Sequence, residues 1–396
     1  MIPVAEARAR ILATLKPVPA ETVALSEAWN RVLAADVVAR RTQPPADVSA
    51  MDGWAVRAAD AVVGARLRRI GTAPAGHPFT GRIGPGETVR LFTGSVVPDG
   101  ADAIVIQEDA RDLGEAMEVT EAAVAGRHVR PAGQDFSAGD VLLRAGRRLT
   151  ARDIGLAASG DHPWLTVHRR PRVAILATGD EIALPGEPVP PGGIVSSNAH
   201  ALAALVRSAG AEPTVLPVAS DDLHAMAEAA DRAAGFDLLL TTGGASVGEH
   251  DLVQAGLAAR GMQLDFWKIA MRPGKPLMHG RLGPLPMLGL PGNPVSALVC
   301  AMLFALPALA MLAGEDARGP KVDEAVLGAP VKENDRREDY LRAAFADGVV
   351  TPHSRQDSSM LATLARSDAL IIRPPLAPAA EAGTKVPVIR LAQYGV

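Results

Sequence analysis

The sequence predicts a multidomain α/β chain. At its centre stands a doubly wound, mostly parallel sheet, joined by an inserted β-rich domain, an elongated linker domain and a C-terminal β domain. Three observations carry this. Between residues 172 and 313 short apolar runs alternate with helical stretches, the pattern of parallel βαβ units with helices on both faces. Residues 44–133 are rich in Gly, Pro and Val with short alternating runs such as TVRLF and AIVIQED, which marks a small β domain. Residues 319–396 carry YLRAAF, ALIIRP and KVPVIRL, again β-like.

The elements follow in order. EARARILATLKPV predicts a helix, and PVPAETVALSEAWNRVLAADVVA a turn, a strand and a second helix. RVAILA (172–177) is a strand; NAHALAALVRSAG (198–210) is a helix with Ser197 or Asn198 as cap and Gly210 as stop. TVLPV (214–218) is a strand, HAMAEAADRAA (224–234) a helix and FDLLL (236–240) a buried strand. DLVQAGLAAR (251–260) is a helix, while MQLDFW (262–267) and PMLGL (286–290) are strands. PGEPVPPGG (185–193) is a surface loop. VSALVCAMLFALPALAMLA (295–313) has no charge and almost the length of a membrane span. Its Ala content, Pro307 and its place after a strand make it a buried core helix instead.

Composition narrows the function. The 396 residues are 48% hydrophobic and 21% charged, so packed cores are expected and global disorder is not. A net charge of −4 gives no broad attraction to nucleic acid or anionic membrane. The sole cysteine, Cys300, lies in the apolar run. It is expected to be a small buried hydrophobe in a reducing, cytoplasmic setting. MIPVAEARAR lacks the apolar stretch of a signal peptide. The scattered histidines show no zinc spacing, and no Ser–His–Asp pattern or nucleotide-binding glycine fingerprint occurs.

Ligands of such sheets sit beyond the carboxyl ends of the strands. Three loops there stand out: TGDE (178–181), TTGGASVGEHD (241–251) and PGNPVS (291–296). Gly243 and Gly244 let backbone N–H groups face an anion, and Thr242 and Ser246 supply hydroxyls. KIAMRPGKP (268–276) offers Lys268, Arg272 and Lys275 for oxyanions. Asp180, Glu181, Asp221, Asp222, Glu249 and Asp251 are hard oxygen ligands at strand ends, suited to Mg²⁺ on phosphate oxygens. Asp222 and Asp251 have the alternative role of helix caps. The residues together point to a Mg²⁺-dependent site for a phosphorylated or nucleotide-bearing substrate.

SAMDGWAV (49–56), TGSVVPDGADAIVIQED (93–109), RPAGQDFSAGD (130–140), ATGDEI (177–182), SSNAHAL (196–202), TTGGASVGEHD, FWKIAMRPGKP and GLPGNPVSA (289–297) occur in one order. In this the sequence resembles the molybdopterin molybdenumtransferases, the MoeA family, and is similar to the gephyrin E domain, from about residue 5 to the C-terminus. The resemblance implies a cytoplasmic, L-shaped homodimer with four subdomains: 1–43 plus 134–170, 44–133, 171–318 and 319–396. It implies insertion of molybdate into the dithiolene of adenylylated molybdopterin, with Mg²⁺ and release of AMP. It implies Asp52, Glu181, Asp221, Asp251, Lys268 and Arg272 as catalytic groups, with Glu181, Asp221 and Asp251 holding the metal. Thr93, Asp135, Lys275, Pro291, Asn293, Pro294 and Ser296 join the substrate-binding set, and Asp52 is expected to reach the partner subunit's cleft. Departures are Arg272 for a common Lys, Ser196 for an Asp, Trp54 for a Tyr, and unusual residues around Ala46 and Val48. Alternatives are a molybdopterin adenylyltransferase, which would consume ATP and is a possible transient partner, and a scaffold like the gephyrin E domain. The MDG, GQD and C-terminal segments weigh against the first, and the lack of a fused partner domain against the second.

Overall fold

The computed structural model describes residues 1–220, 222–243, 258, 260–317 and 319–396. Helix α1, Val4–Ala13, buries Val4, Ala7 and Ile11, the one-face spacing of an amphipathic helix. Glu6 in its first turn and Arg10 in its last suit the helix dipole. Strand β1 (Ala20–Ala24) pairs antiparallel with β12 (Trp164–His168), and β2 (Val37–Val38) with β11 (Val141–Leu143). The linker unit is therefore built from two separate stretches of chain, with helix α2 (Ala151–Ser159) beside it. The second helix expected before residue 39 does not form; only a 3-10 turn, Leu25–Glu27, does. The reason is tertiary. Asn30 N–H donates to Leu149 O (3.0 Å) and Leu33 N–H to Arg147 O (3.0 Å), so the returning chain takes the backbone bonds a helix would need.

Between those two stretches lies the inserted domain. Strands β3 (Val48–Ser49) and β10 (Val129–Arg130) pair at its base. Its sheet contains β4 (Gly53–Val56), β5 (Arg66–Ala73), β6 (Glu87–Leu91), β7 (Ala103–Ile106), β8 (Ala110–Asp112) and β9 (Ala116–Val119), in the order β7-β4-β6-β5-β9-β8. Trp54 is in its core, 1% exposed, with the Arg69 and Arg90 guanidinium groups over its ring. Its departure from the family Tyr thus concerns the core of this domain.

The central sheet contains β13 (Arg172–Ala177), β16 (Glu212–Val215), β17 (Leu238–Thr242), β18 (Met262–Trp267), β20 (Met278–Leu282) and β21 (Leu285–Leu290). The order is β16-β13-β17-β21-β20-β18; β13, β16, β17 and β21 are parallel, and β20 runs against both its neighbours. Period-two alternation splits the strands between two cores. Val173, Ile175 and Leu240 face α1, α3 (Asn198–Ser208) and the apolar helical run; Ala174, Leu176 and Leu239 face α4 (Leu223–Arg232). The strand expected at 214–218 lies slightly earlier, and β20 adds a hairpin that the sequence did not announce. The helix expected at 251–260 lies mostly outside the described residues. A short parallel pair, β14 (Ile182–Ala183) with β15 (Ile194–Val195), brackets the 185–193 loop.

The helical run Pro294–Leu312 has a mean hydropathy of 2.4 and is 78% buried, a core helix. Its middle turn, Ala301–Ala305, is a π turn just before Pro307. Pro307 has no N–H to donate and its ring would crowd the Leu303 carbonyl; a widened turn relieves both. The C-terminal strands β22 (Asp323–Leu327), β23 (Glu338–Ala346), β24 (Val349–Pro352), β25 (Ala369–Arg373) and β26 (Lys385–Arg390) close into a barrel, because β23 pairs with both β24 and β25. Strand β19 (Met271–Arg272), from the central part of the chain, adds to β23.

Candidate active site

Parallel strands bring their carboxyl ends to one rim, and a cleft of about 580 Å³ opens there. Thr178 and Glu181 after β13, Thr242 and Gly243 at the end of β17, and Pro291, Asn293 and Pro294 after β21 line it. The three loops picked out in the sequence thus meet. Pro276, Ser359 and Leu361 complete the opposite side.

Close packing of backbone forms the floor. Gly243 has φ +96°, and a Cβ there would lie 2.4 Å from the Thr178 carbonyl oxygen; a Cβ on Gly292 would lie 3.7 Å from the Gly243 Cα. Glycine is therefore required at 243 by both conformation and space. Asn198 staples two loops: its Nδ2 donates to Thr242 Oγ1 (2.8 Å) and to Gly292 O (2.7 Å). Asn293 Nδ2 donates to Ser358 Oγ (2.9 Å), and Val295 N–H to Ser358 O (3.1 Å), which ties the barrel's 353–361 loop to the rim. The Thr178 hydroxyl is buried with no hydrogen-bond partner among the described residues. A cleft-lining hydroxyl left so is available to a ligand or water.

The carboxylates are placed unequally. Glu181 is exposed at the cleft edge and folds over Gly179. Asp222 caps α4, accepting from the N–H groups of His224 and Ala225. Its hydrogen bonds from Ser220 Oγ and those N–H groups hold its carboxyl below the usual range. Asp221, Gly244, Ser246 and Asp251, with Glu249, lie outside the described residues.

The basic segment differs from its expected position. Arg272 sits on β19 at the barrel's edge; its guanidinium bonds Asp339 and lies 3.5 Å from both Asp335 and Asn334. Lys268 packs its ammonium over the Trp267 ring, 4.5 Å from the centroid. Lys275 is exposed, one residue before the cleft-lining Pro276. None of the three cations is among the residues lining the cleft, and Lys275 comes nearest in sequence, beside Pro276. Ser296 is 4% exposed inside the first helical turn and is not among the lining residues.

Asp52 and Thr93 meet in the inserted domain: Asp52 accepts from Thr93 N–H (2.7 Å) and Thr93 Oγ1 (2.8 Å). These bonds, the backbone one foremost, keep its carboxyl below the usual range. Asp135 lies in a separate open hollow with Phe136, Asp140 and Arg144. Among the described residues, none of the inserted domain lines the rim cleft. Sequence reasoning missed Ser358 and Ser359, took Pro276 only as part of the basic segment, and named Asn198 only as a possible helix cap and for the carboxylate missing beside it. HSRQDSSM (353–360) looks like polar surface, and only its place in the fold gives it away.

Fold and cleft together define a class: a doubly wound α/β ligand-binding domain carrying an inserted β domain and a C-terminal barrel. Comparison with known proteins narrows it. The MoeA N-terminal region (domain I and II) matches residues 2–160, a probable molybdopterin binding domain matches 174–311, and the MoeA C-terminal region (domain IV) matches 324–391. A molybdopterin molybdenumtransferase of Nostoc is 36% identical over 89% of this chain and 85% of its own. Molybdopterin molybdenumtransferase 2 of Mycobacterium tuberculosis is 36% identical over 93% and 94%. A crystal structure of the MoeA molybdopterin biosynthesis protein of Pyrococcus horikoshii superposes with a TM-score of 0.86 at 27% identity, covering 98% of this chain and 100% of that one. The chain belongs to the molybdopterin molybdenumtransferase family.

Proposed function

We propose that this chain is a transferase of molybdenum cofactor biosynthesis that inserts molybdate into the dithiolene of adenylylated molybdopterin and releases AMP. The observation that carries the reading is the convergence of three strand-end loops into one oxygen-rich cleft in a chain similar to molybdenumtransferases along most of its length. The substrate's pyrophosphate fits the glycine-floored rim, where the Thr178 hydroxyl has no hydrogen-bond partner among the described residues. Lys275, exposed beside the cleft-lining Pro276, would offset the charge of a molybdate dianion, while Arg272 is engaged by Asp339.

Mg²⁺ suits the donor chemistry. Glu181 offers an exposed carboxylate at the cleft edge, and Mg²⁺ is commonly held by one or two carboxylates plus substrate phosphates and water. Glu181 would hold it, together with Asp221 and Asp251 by family resemblance. When bound, the ion would neutralise and polarise the phosphoanhydride. Asp52, ionised through its Thr93 hydrogen bonds, belongs to a different domain from the cleft. The reading therefore includes a homodimer in which Asp52 serves the partner's rim. A cytoplasmic location accords with the sole, buried Cys300.

The test is AMP release from adenylylated molybdopterin, with molybdate and Mg²⁺ each present or omitted, for wild type and Glu181→Gln. Release that needs both additions and drops in the variant supports the reading. ATP consumption with plain molybdopterin, and no AMP release, would replace it with the adenylyltransferase reading.

A further inference from the structure

The amino ends of the central strands face away from the cleft. Arg170 and Pro171 directly precede β13, Gly210 lies two residues before β16, and Asp237 directly precedes β17. The six residues of β13, at about 3.3 Å each, put roughly 20 Å between this end and the cleft. Asn30, Arg31 and Arg148 of the linker unit close over it and leave a hollow of about 10 Å³, room for one water-sized occupant. Four guanidinium groups, those of Arg31, Arg148, Arg169 and Arg170, line the hollow. The packing is close: Gly210 has φ +79°, and a Cβ there would stand 2.7 Å from Arg148 Nη1 and 3.2 Å from Asn30 O.

Three of the four cations are matched. Arg148 donates Nε and Nη2 to the Glu315 carboxylate (2.8 and 2.9 Å), Arg169 donates Nη1 and Nη2 to Asp237 (both 2.6 Å), and Arg31 pairs with Glu21. His168, which also lines the hollow, spends its Nδ1–H on Val18 O (2.7 Å). Arg170 has no such partner. Its Nη1 donates to a carbonyl, Gly210 O (3.2 Å), and no carboxylate pairs with it among the described residues. Burial foremost, then the Arg31 charge beside it, pulls the Arg170 pKa down, and Glu212 opposes this without an ion pair. Arg31 is 8% exposed, and its Nε–H is buried with no hydrogen-bond partner among the described residues. Four guanidinium groups against three paired carboxylates leave one positive charge in excess, beside a buried N–H that lacks an acceptor.

We infer that this hollow is a binding site for one monovalent anion of the size of chloride, held by the Arg31 Nε–H and the Arg170 guanidinium. A water would satisfy the N–H but leave the charge unbalanced. A tetrahedral oxyanion, with four oxygens, exceeds the space. The bound anion offsets the repulsion between Arg31 and Arg170. It thereby ties the linker unit, on which the inserted domain is mounted, to the amino end of the central sheet. The site is independent of the transferase reading.

The test is calorimetric melting of the full-length chain at constant ionic strength, with sodium gluconate exchanged stepwise for sodium chloride, and diffraction from crystals grown with bromide. The transition should rise by a few degrees and level off as chloride increases, as for a ligand of the folded state alone. Arg170→Gln removes the excess charge. It should melt at or above wild type in gluconate and lose the chloride response, whereas a merely structural arginine would lower the melting in both salts. Arg170→Lys keeps the charge and should keep a response. Bromide should give an anomalous peak beside Arg31 Nε and Arg170. A wild-type transition that ignores chloride at constant ionic strength overturns the inference. So does an equal chloride response in Arg170→Gln, which would place the ion elsewhere. A bromide peak without a response in solution marks an adventitious ion only and overturns it too. If Arg170→Gln does not fold, the wild-type response together with the bromide peak decides. None of these outcomes bears on AMP release, so the proposed function stands or falls separately.

Discussion

Replacing Gln356 by Ala should loosen one wall of the cleft from a distance. Gln356 Oε1 accepts from Arg342 N–H (2.9 Å) and Arg342 Nε (3.3 Å), and its Nε2 donates to Arg342 O and His353 O, both at 2.9 Å. Arg342 is 1% exposed and donates its Nη1 to Asp357 O (2.7 Å). No carboxylate side chain bonds that guanidinium among its hydrogen bonds here, so Gln356 and one carbonyl hold it. Two residues further, Ser358 bonds the rim and Ser359 lines the cleft. Neutral hydrogen bonds contribute about 1 kcal/mol each, and an orphaned buried group costs about 1–3 kcal/mol. Gln356 is itself exposed, so water replaces part of the loss, and the net cost is about 2 kcal/mol. Read by calorimetry, the barrel's transition should fall by several degrees. In the AMP-release assay, KM should rise by roughly threefold to tenfold with kcat changed less, the pattern of lost uniform binding. Gln356→Glu keeps the acceptor and adds a counter-charge, so it should fall between. Wild-type KM and melting in Gln356→Ala would refute the idea that this contact holds the loop.

Asn198→Ala removes both staple bonds, to Thr242 and Gly292, and should cost about 2 kcal/mol, read by denaturant titration of the central domain, with weaker substrate binding. Asp52→Asn keeps the shape but removes the charge at the Thr93 contact; turnover should fall at least about tenfold with the melting temperature little changed, since the amide Oδ1 of asparagine still accepts from Thr93. His279, 1% exposed, lies between Asp265 and Thr14, with Arg10 beyond. Burial lowers its pKa, against the pull of Asp265. A depressed imidazole pKa means the unfolded chain binds the proton more readily. Stability from this group is therefore full above about pH 6.5 and is lost as pH falls through the lower folded value. Melting curves from pH 7.5 to 5 should show the loss, and His279→Gln should flatten it. Gly274→Ala places a Cβ 2.4 Å from Cys300 Sγ at φ +109°. It should destabilise by about 3 kcal/mol, seen in the thermal transition.

Much of the central domain was legible because its inner strands β13, β17 and β21 are buried on both faces and its helices on one. RVAILA and NAHALAALVRSAG say as much in residue types alone. What escaped shows why pattern has limits. Strand β20, MHGRL, contains a histidine, a glycine and an arginine, and looks like a loop. It is a strand because His279 is satisfied by Asp265 and because Gly280 leaves room for the Gln263 carbonyl, 2.5 Å from where its Cβ would be. Neither fact is local. The helix expected before residue 39 failed in the opposite way: its residues favour a helix, but strand-like bonds to residues 147–149 win. In the cleft, the glycines and the rim loops were readable from strand-end chemistry. The contribution of the barrel was not, because nothing in HSRQDSSM says which domain it leans on.

The same non-local logic explains the basic segment. Read in sequence, Lys268, Arg272 and Lys275 form one cationic patch. In the fold, β19 makes Arg272 the edge partner of β23, and Asp339 beneath it is 3% exposed, with burial raising its carboxyl pKa. A buried carboxylate needs a cation more than Lys268 and Lys275 need a third member. Arg272 therefore serves the joint between barrel and central domain. It also fixes where the following residues, Pro273 to Pro276, enter the cleft. A guanidinium is better at this than an ammonium, because its planar fork engages Asp339 through both Nε and Nη2. The departure from the family's common lysine is thus most economically a matter of anchoring. Lys275, exposed and next to the cleft-lining Pro276, is left as the cation with the freest reach toward the incoming oxyanion.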